Sequence, residues 1–249
     1  MNVQDRIIVA LDVSNLDAAE SLVRELAPHV GCFKIGLQLL TSVGAPKVVQ
    51  CLSSIGGNLF SIGGNLFIDG KLCDIPHTVG EAARATSLLG VAMFNVHASA
   101  GIEAMMAAVQ NKGSSKVLAV TVLTSLEENN AHLIFGAPSK AKVLQLARDA
   151  KLAGVDGIIC SPQELEFLGK QRELDGLLKI TPGVRPEWAA VGDQKRVMTP
   201  GDAIIAGATA LVIGRPITKP PNEVGTPADA ARRIAQEISI ALATLARRK

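Results

Sequence analysis

The chain has 249 residues, with 25 lysines and arginines against 23 aspartates and glutamates, a formal net charge of +2. So even a balance, with the basic residues scattered, excludes the basic stripe expected of a nucleic-acid-binding protein. The four cysteines, Cys32, Cys51, Cys73 and Cys160, form no CxxC pair, and the apolar run at 7–11 behind a polar opening is too short for a signal core or a membrane span. A cytoplasmic chain with reduced thiols and no membrane partner is therefore expected.

Short β-rich apolar runs alternate with amphipathic stretches from one end to the other, the pattern of a parallel α/β fold. Strands are expected at 6–12, 32–37, 65–71, 93–97, 116–123, 156–160, 177–182 and 210–214, each followed by helical sequence, as at 16–26, 140–153 and 228–246. Periodicity alone also admits a doubly wound open sheet. Eight strands with no Pro/Gly/Ser linker and no shift in composition favour a single (β/α)8 TIM barrel domain over residues 1–249.

Just before the third strand, Ser54-Ile55-Gly56-Gly57-Asn58-Leu59-Phe60 recurs unchanged at 61–67. Two copies are too few for a repeat architecture. Only the second copy leads directly into Asp69 and Lys71, so it is expected to form the strand. The first copy is expected to be extruded between the second helical region and the third strand, on the face away from the site.

In a barrel of this kind, reacting groups collect at the C-terminal ends of the strands. The first strand ends in Ala10-Leu11-Asp12, the second carries Phe33-Lys34-Ile35-Gly36, the third delivers Asp69 and Lys71, and the fourth ends in Asn95-Val96-His97. Asp69 and Lys71 are two apart and share a strand face. Because the first three strands are sequential neighbours, Asp12, Lys34, Asp69 and Lys71 should form a row of alternating sign across one mouth. Four charges inside a barrel must be paired to offset their desolvation.

The loops after strands seven and eight are the usual phosphate corner of this architecture. Here they read Thr181-Pro182-Gly183-Val184-Arg185 and Ile213-Gly214-Arg215-Pro216, where glycine admits close backbone approach and arginine offers a bidentate fork. The long connection from Arg185 to Thr199, with Trp188, Gln194, Lys195 and Arg196, suits a lid over that corner. His29 and His132 read as surface groups and His97 as structural support at the mouth; no cluster has metal-ligand spacing.

Together Ala10-Leu11-Asp12, Phe33-Lys34-Ile35-Gly36, Asp69-x-Lys71-x-x-Asp74-Ile75-Pro76, Thr181-Pro182-Gly183-Val184-Arg185-Pro186, Asp193-Gln194-Lys195-Arg196 and Val212-Ile213-Gly214-Arg215-Pro216-Ile217-Thr218 resemble the orotidine 5′-monophosphate decarboxylase family in its bacterial form. The resemblance implies a homodimeric barrel that converts a nucleotide, orotidylate, to uridylate and carbon dioxide with neither metal nor organic cofactor. It implies that Lys34, Asp69, Lys71 and Asp74 form a charged tetrad, with Asp74 reaching into the partner's site and Lys71 protonating C6. It further implies that Asp12 and Thr78 hold ribose hydroxyls, that Ser125 contacts the pyrimidine, and that Gln194, Arg215 and the Gly214 backbone hold the phosphate. Pro182 and Arg185 would line the region where lid meets ligand.

Gly70, His77 and Ala100 depart from the residues more usual in that pattern, without removing a charge. Magnesium-dependent sugar-phosphate decarboxylases and hexulose-phosphate synthases of the same superfamily share the Asp-x-Lys-x-x-Asp segment but usually carry an acidic residue where Lys34 stands. A non-catalytic nucleotide-binding barrel would have no need of a proton donor such as Lys71.

Overall fold

Residues 1–55, 65–189 and 198–247 are described in the structure, a computed structural model. Strand β1 (Ile7–Ala10) leads to helix α1 (Leu16–Leu26), β2 (Cys32–Ile35), α2 (Leu37–Ser42) and α3 (Ala45–Ser53). β3 (Leu66–Leu72), α4 (Pro76–Ser87), β4 (Met93–His97), α5 (Ile102–Gln110), β5 (Lys116–Val120), α6 (Glu128–Phe135) and α7 (Ser139–Ala153) follow. The chain closes with β6 (Gly157–Ile159), α8 (Leu165–Gly169), β7 (Leu178–Pro182), α9 (Pro200–Ile205), β8 (Ala210–Ile213), α10 (Arg215–Thr218) and α11 (Pro227–Arg247).

The eight strands pair in parallel in sequence order, and β8 returns to β1, so the barrel is closed and the open-sheet alternative is overturned. The period of two along each strand sorts side chains into two environments. Ile8, Ala10, Cys32, Phe67, Leu118, Ile180, Ala210 and Val212 pack inside the barrel, whereas Ile7, Val9, Phe33, Ile35, Leu66 and Ile68 belong to the larger layer beneath the helices. Continuing the inner set upward from Ala10, Cys32, Phe67 and Val212 reaches Asp12, Lys34, Asp69 and Gly214. The alternation that fills the core also aims the site.

The helices seal the outer layer by the same kind of arithmetic. In α1, Ala19, Val23 and Leu26 are buried at spacings of four and three, and the Asn15 side chain accepts the Ala18 N–H at 2.9 Å to start the helix. In α11, Ala230, Ile234, Ile238 and Ala241 face inward, and Thr226 and Asp229 exchange side chain–backbone bonds at the first turn. Close packing at the bottom is enforced at Gly157, where an added Cβ would lie 2.6 Å from the Leu178 carbonyl.

The duplicated segment resolves as expected at its strand end. Leu66 and Phe67, from the second copy, sit in β3 opposite Phe33 and Lys34, both fully buried. Of the first copy, Ser54 ends α3 and Ile55 is buried; the rest of both copies up to residue 64 lies outside the described residues. Because the copies are identical, deleting residues 54–60 places Ser61 and Ile62 where Ser54 and Ile55 now stand, so no core side chain among the described residues is lost. The α3–β3 connection shortens from twelve residues to five, worth roughly 0.8 kcal/mol in closure entropy. The deletion variant should keep full activity and melt at an equal Tm or up to about 3 °C higher; a lower Tm would show that the extra copy contributes packing.

Candidate active site

Asp12, Lys34, Asp69 and Lys71 do form a row. Lys34 Nζ lies 3.4 Å from Asp12 Oδ1 and 3.0 Å from Asp69 Oδ2, and Lys71 Nζ lies 2.6 Å from Asp69 Oδ1. The order is carboxylate, ammonium, carboxylate, ammonium. Exposure grades along it, with the Lys34 and Asp69 side chains 11% and 12% exposed and those of Lys71 and Asp12 32% and 62%. The middle pair is therefore the rigid part of the row, and its ends face the open mouth. Gly36 keeps that arrangement free of obstruction: a Cβ there would come within 3.0 Å of Asp12 Oδ1 and 3.1 Å of Lys34 Nζ.

Burial alone would push the Asp69 carboxyl upward, but the Lys34 and Lys71 ammoniums, with hydrogen bonds from Lys71 and Asn95, outweigh it and hold the pKa below the usual carboxylate range. Asp69 is thus an anion at neutral pH. His97 is shifted below the ordinary imidazole value, first by burial and then by the Lys71 ammonium, so it stands as a neutral ring beside the row, with Ser99 Oγ 2.6 Å from its Nδ1.

Lys71 has an unusual backbone. At φ 51° it is the only non-glycine with positive φ among the described residues, a conformation that costs about 1–3 kcal/mol unless its surroundings fix it. Gly70, whose freedom would suggest the turn, stays out of that region, and a Cβ on it would meet nothing nearer than 3.8 Å, so neither backbone angle nor the space for a Cβ requires glycine there. Ala100 is likewise tolerated, because the left-handed position in its loop falls on Gly101 at φ 94°.

The row lines a cavity of about 510 Å³ at the C-terminal mouth, within the usual range for small-molecule sites. Ala10, Phe67, Val120, Ile159 and Val212 give it an apolar lining. Pro182, Gly183, Val184, Arg185, Gly214, Arg215, Thr218 and Lys219 line it from the loops after β7 and β8. Burial and the Arg215 charge push the Arg185 guanidinium below its ordinary range. An anion between two guanidiniums would relieve that repulsion and accept from both forks.

The cavity thus brings together Asp12, Lys34, Asp69, Lys71, Pro182, Arg185, Gly214 and Arg215. It does not include Asp74, Thr78 or Ser125. Asp74 and Thr78 are exposed at and beyond the end of β3, and the Asp74 Oδ1 accepts the N–H of Ile75 at 2.7 Å. Ser125 is exposed one residue beyond Thr124, which does line the cavity. Gln194 and most of the expected lid lie outside the described residues; Trp188, at their edge, packs against the core.

The sequence reading gave no role to Asn95. It is fully buried, accepts the Lys71 N–H at 2.7 Å and donates to Asp69 Oδ1 at 2.7 Å. Its inward parity with Met93 and His97 was the available signal. Among the described residues no group of three His, Cys, Asp or Glu side chains is placed to hold a metal ion, and no helix is long and apolar enough to cross a membrane.

Fold and site together define a (β/α)8 barrel whose mouth holds a chain of lysine–aspartate pairs and a guanidinium pair lining the same cavity. The Orotidine 5'-phosphate decarboxylase / HUMPS family profile matches residues 5–234, and the chain belongs to that family. It is 42% identical to the orotidine 5'-phosphate decarboxylase of Heliobacterium modesticaldum, over 98% of this chain and 99% of that one. It is 44% identical to the one from Geotalea daltonii, over 94% and 95%. Among solved structures, orotidine 5'-phosphate decarboxylase from Lactobacillus acidophilus superposes with a TM-score of 0.76 at 32% identity, covering 94% of this chain and 99% of that one.

Proposed function

We propose that this chain decarboxylates orotidine 5′-monophosphate to uridine 5′-monophosphate and carbon dioxide, a step of pyrimidine synthesis. The observation that carries the reading is the Asp12–Lys34–Asp69–Lys71 row lining one cavity together with Arg185 and Arg215. A nucleotide fits those charges. Its phosphate dianion goes to the arginines and the Gly214 backbone, its ribose to Asp12 and Lys34, and the carboxylated edge of its pyrimidine to Asp69 and Lys71.

The chemistry follows from the charges. The bond from C6 to the carboxylate breaks, carbon dioxide leaves, and the electron pair stays on C6, where the ring offers it little resonance. A fixed ammonium in a site partly shielded from water is the group that stabilises such a pair. Lys71 then gives its proton to C6 and recovers one from water. Asp69 holds that ammonium in place, and its own negative charge opposes the substrate carboxylate until that group departs as a neutral gas. Protons and electrons balance with substrate, lysine and water, so the step invokes no metal or organic cofactor.

The site is completed by a second copy of the chain. Asp74 and Thr78 face solvent outside their own cavity, and Ile75 between them is 66% exposed, an apolar group suited to burial between subunits. In the homodimer Asp74 reaches the partner's row and Thr78 its ribose pocket, while Ser125 is assigned to the pyrimidine and Gln194 to the phosphate. Four free thiols suit a reducing cytoplasm.

Orotidylate absorbance, followed with the purified chain in the presence and absence of a chelator, tests the reading. Turnover should be unaffected by the chelator and far slower on the unphosphorylated nucleoside, because binding at the arginines helps organise the reacting groups. Inactivity on orotidylate, with a chelator-sensitive reaction on a sugar phosphate, would overturn it in favour of the magnesium-dependent branch.

A further inference from the structure

β3 and β4 fall out of step near the mouth. Ile68 pairs with Phe94 but Leu72 pairs with Val96, so four steps along β3 meet two along β4. A bulge of this kind takes backbone groups out of the ladder and re-aims the side chains it carries. Lys71, left-handed at φ 51°, lies within it, and its N–H donates to the Asn95 side chain instead of to a strand carbonyl. The other end of the same amide donates to Asp69 Oδ1, the atom that also receives the Lys71 ammonium. One buried side chain therefore joins the backbone of Lys71 to the carboxylate that anchors its charged tip.

We propose that Asn95 is a positioning residue for proton delivery by Lys71, fixing both where the lysine leaves the strand and where its carboxylate anchor stands. The inference rests on the decarboxylase reading above for its kinetic consequences, but not for its geometry. Few side chains can do this. The position needs an acceptor toward the Lys71 N–H and a donor toward Asp69 from one short planar group; leucine would orphan the Lys71 N–H and take one donor from Asp69, and ionised aspartate would set a second anion against Asp69. The hydrogen bond from Asn95 is also among the interactions that keep the Asp69 carboxyl low.

Asn95→Ala should lower kcat by roughly 100-fold, the scale of an ångström of misplacement at a reacting group, with KM changed much less. A raised KM at unchanged kcat would overturn the proposal. Asn95→Asp covers the case in which alanine does not fold. A protonated aspartic acid can accept from Lys71 N–H and donate to Asp69 as the amide does, so this variant should gain activity as pH falls, relative to the wild-type profile. The charged and titratable groups around position 95 are Asp69 and Lys71 on β3, Lys34 beyond them on β2, and His97 on β4. β5 presents Leu118 opposite it, with Lys116 at the far end of the barrel. All of these are shared with the wild type, so a profile parallel to the wild type's would overturn the assignment.

Crystal structures of the wild type and Asn95→Ala read the positioning whatever reaction is catalysed. Displacement of Lys71 Nζ from Asp69 by about 1 Å or more supports the inference, and an unmoved Lys71 overturns it. A displaced Lys71 in the variant, together with a wild type inactive on orotidylate, would leave the positioning standing and sink the decarboxylase reading.

Discussion

Lys71→Ala should abolish turnover, by about 10⁴-fold or more, because one ammonium both stabilises the developing charge at C6 and supplies the proton. Its loss leaves the scaffold in place. Asp69 keeps the Lys34 ammonium at 3.0 Å and the Asn95 amide at 2.7 Å, so no buried anion is orphaned. Alanine faces the same left-handed backbone as lysine, and its N–H still finds Asn95 Oδ1. The arginines lining the cavity are untouched, so uridylate should bind within about tenfold of the wild-type affinity, as expected when the deleted group acts mainly on the transition state. Equilibrium binding and single-turnover assays separate the two effects. Substantial residual turnover would remove Lys71 as proton donor, and parallel loss of uridylate binding would show that the cavity had collapsed instead.

The row of charges was legible because it depends only on strand order and a period of two. Neither requires knowing where a strand stops. The stops were less legible: β1 ends at Ala10 and not at 12, and β5 at Val120 and not at 123. At both places a single backbone bond continues beyond the strand, from Leu11 N–H to Lys34 and from Thr121 N–H to Ile159, but the ladder goes no further. β3 runs to Leu72, one residue beyond expectation, because the bulge lets it rejoin β4 at Val96.

What stayed hidden was the bulge and, with it, Asn95. Left-handed geometry is usually announced by glycine or asparagine, and the glycine here, Gly70, is next to the left-handed residue and not at it. Asn95 then takes its meaning from a backbone N–H that only the bulge sets free. Sequence parity could place it inside the barrel, but its partners were set by a register shift that composition does not encode. The duplicated segment was the opposite case: the fixed distance from Phe67 to Asp69 and Lys71 decided which copy pairs with β2.

Asp74→Ala and Lys71→Ala chains, each inactive alone, should regain activity when mixed and allowed to exchange subunits. Only two residues, Leu72 and Cys73, separate them, yet the two side chains face different spaces. Lys71 lines the cavity, whereas Asp74 lies outside it, exposed, where the chain turns through Ile75 into Pro76 and α4. On the proposed dimer, a carboxylate so placed serves the row of the other subunit. In a mixed dimer one site then combines an intact Lys71 with an intact Asp74 from across the interface, and the other site lacks both. If exchange is random, half the dimers are mixed and one of their two sites works, so the mixture should reach about one quarter of the wild-type rate per chain. Recovery should follow the time course of subunit exchange measured with labelled chains. Complete exchange without recovery would mean that each site is built from a single chain, with Asp74 confined to its bond with the Ile75 N–H.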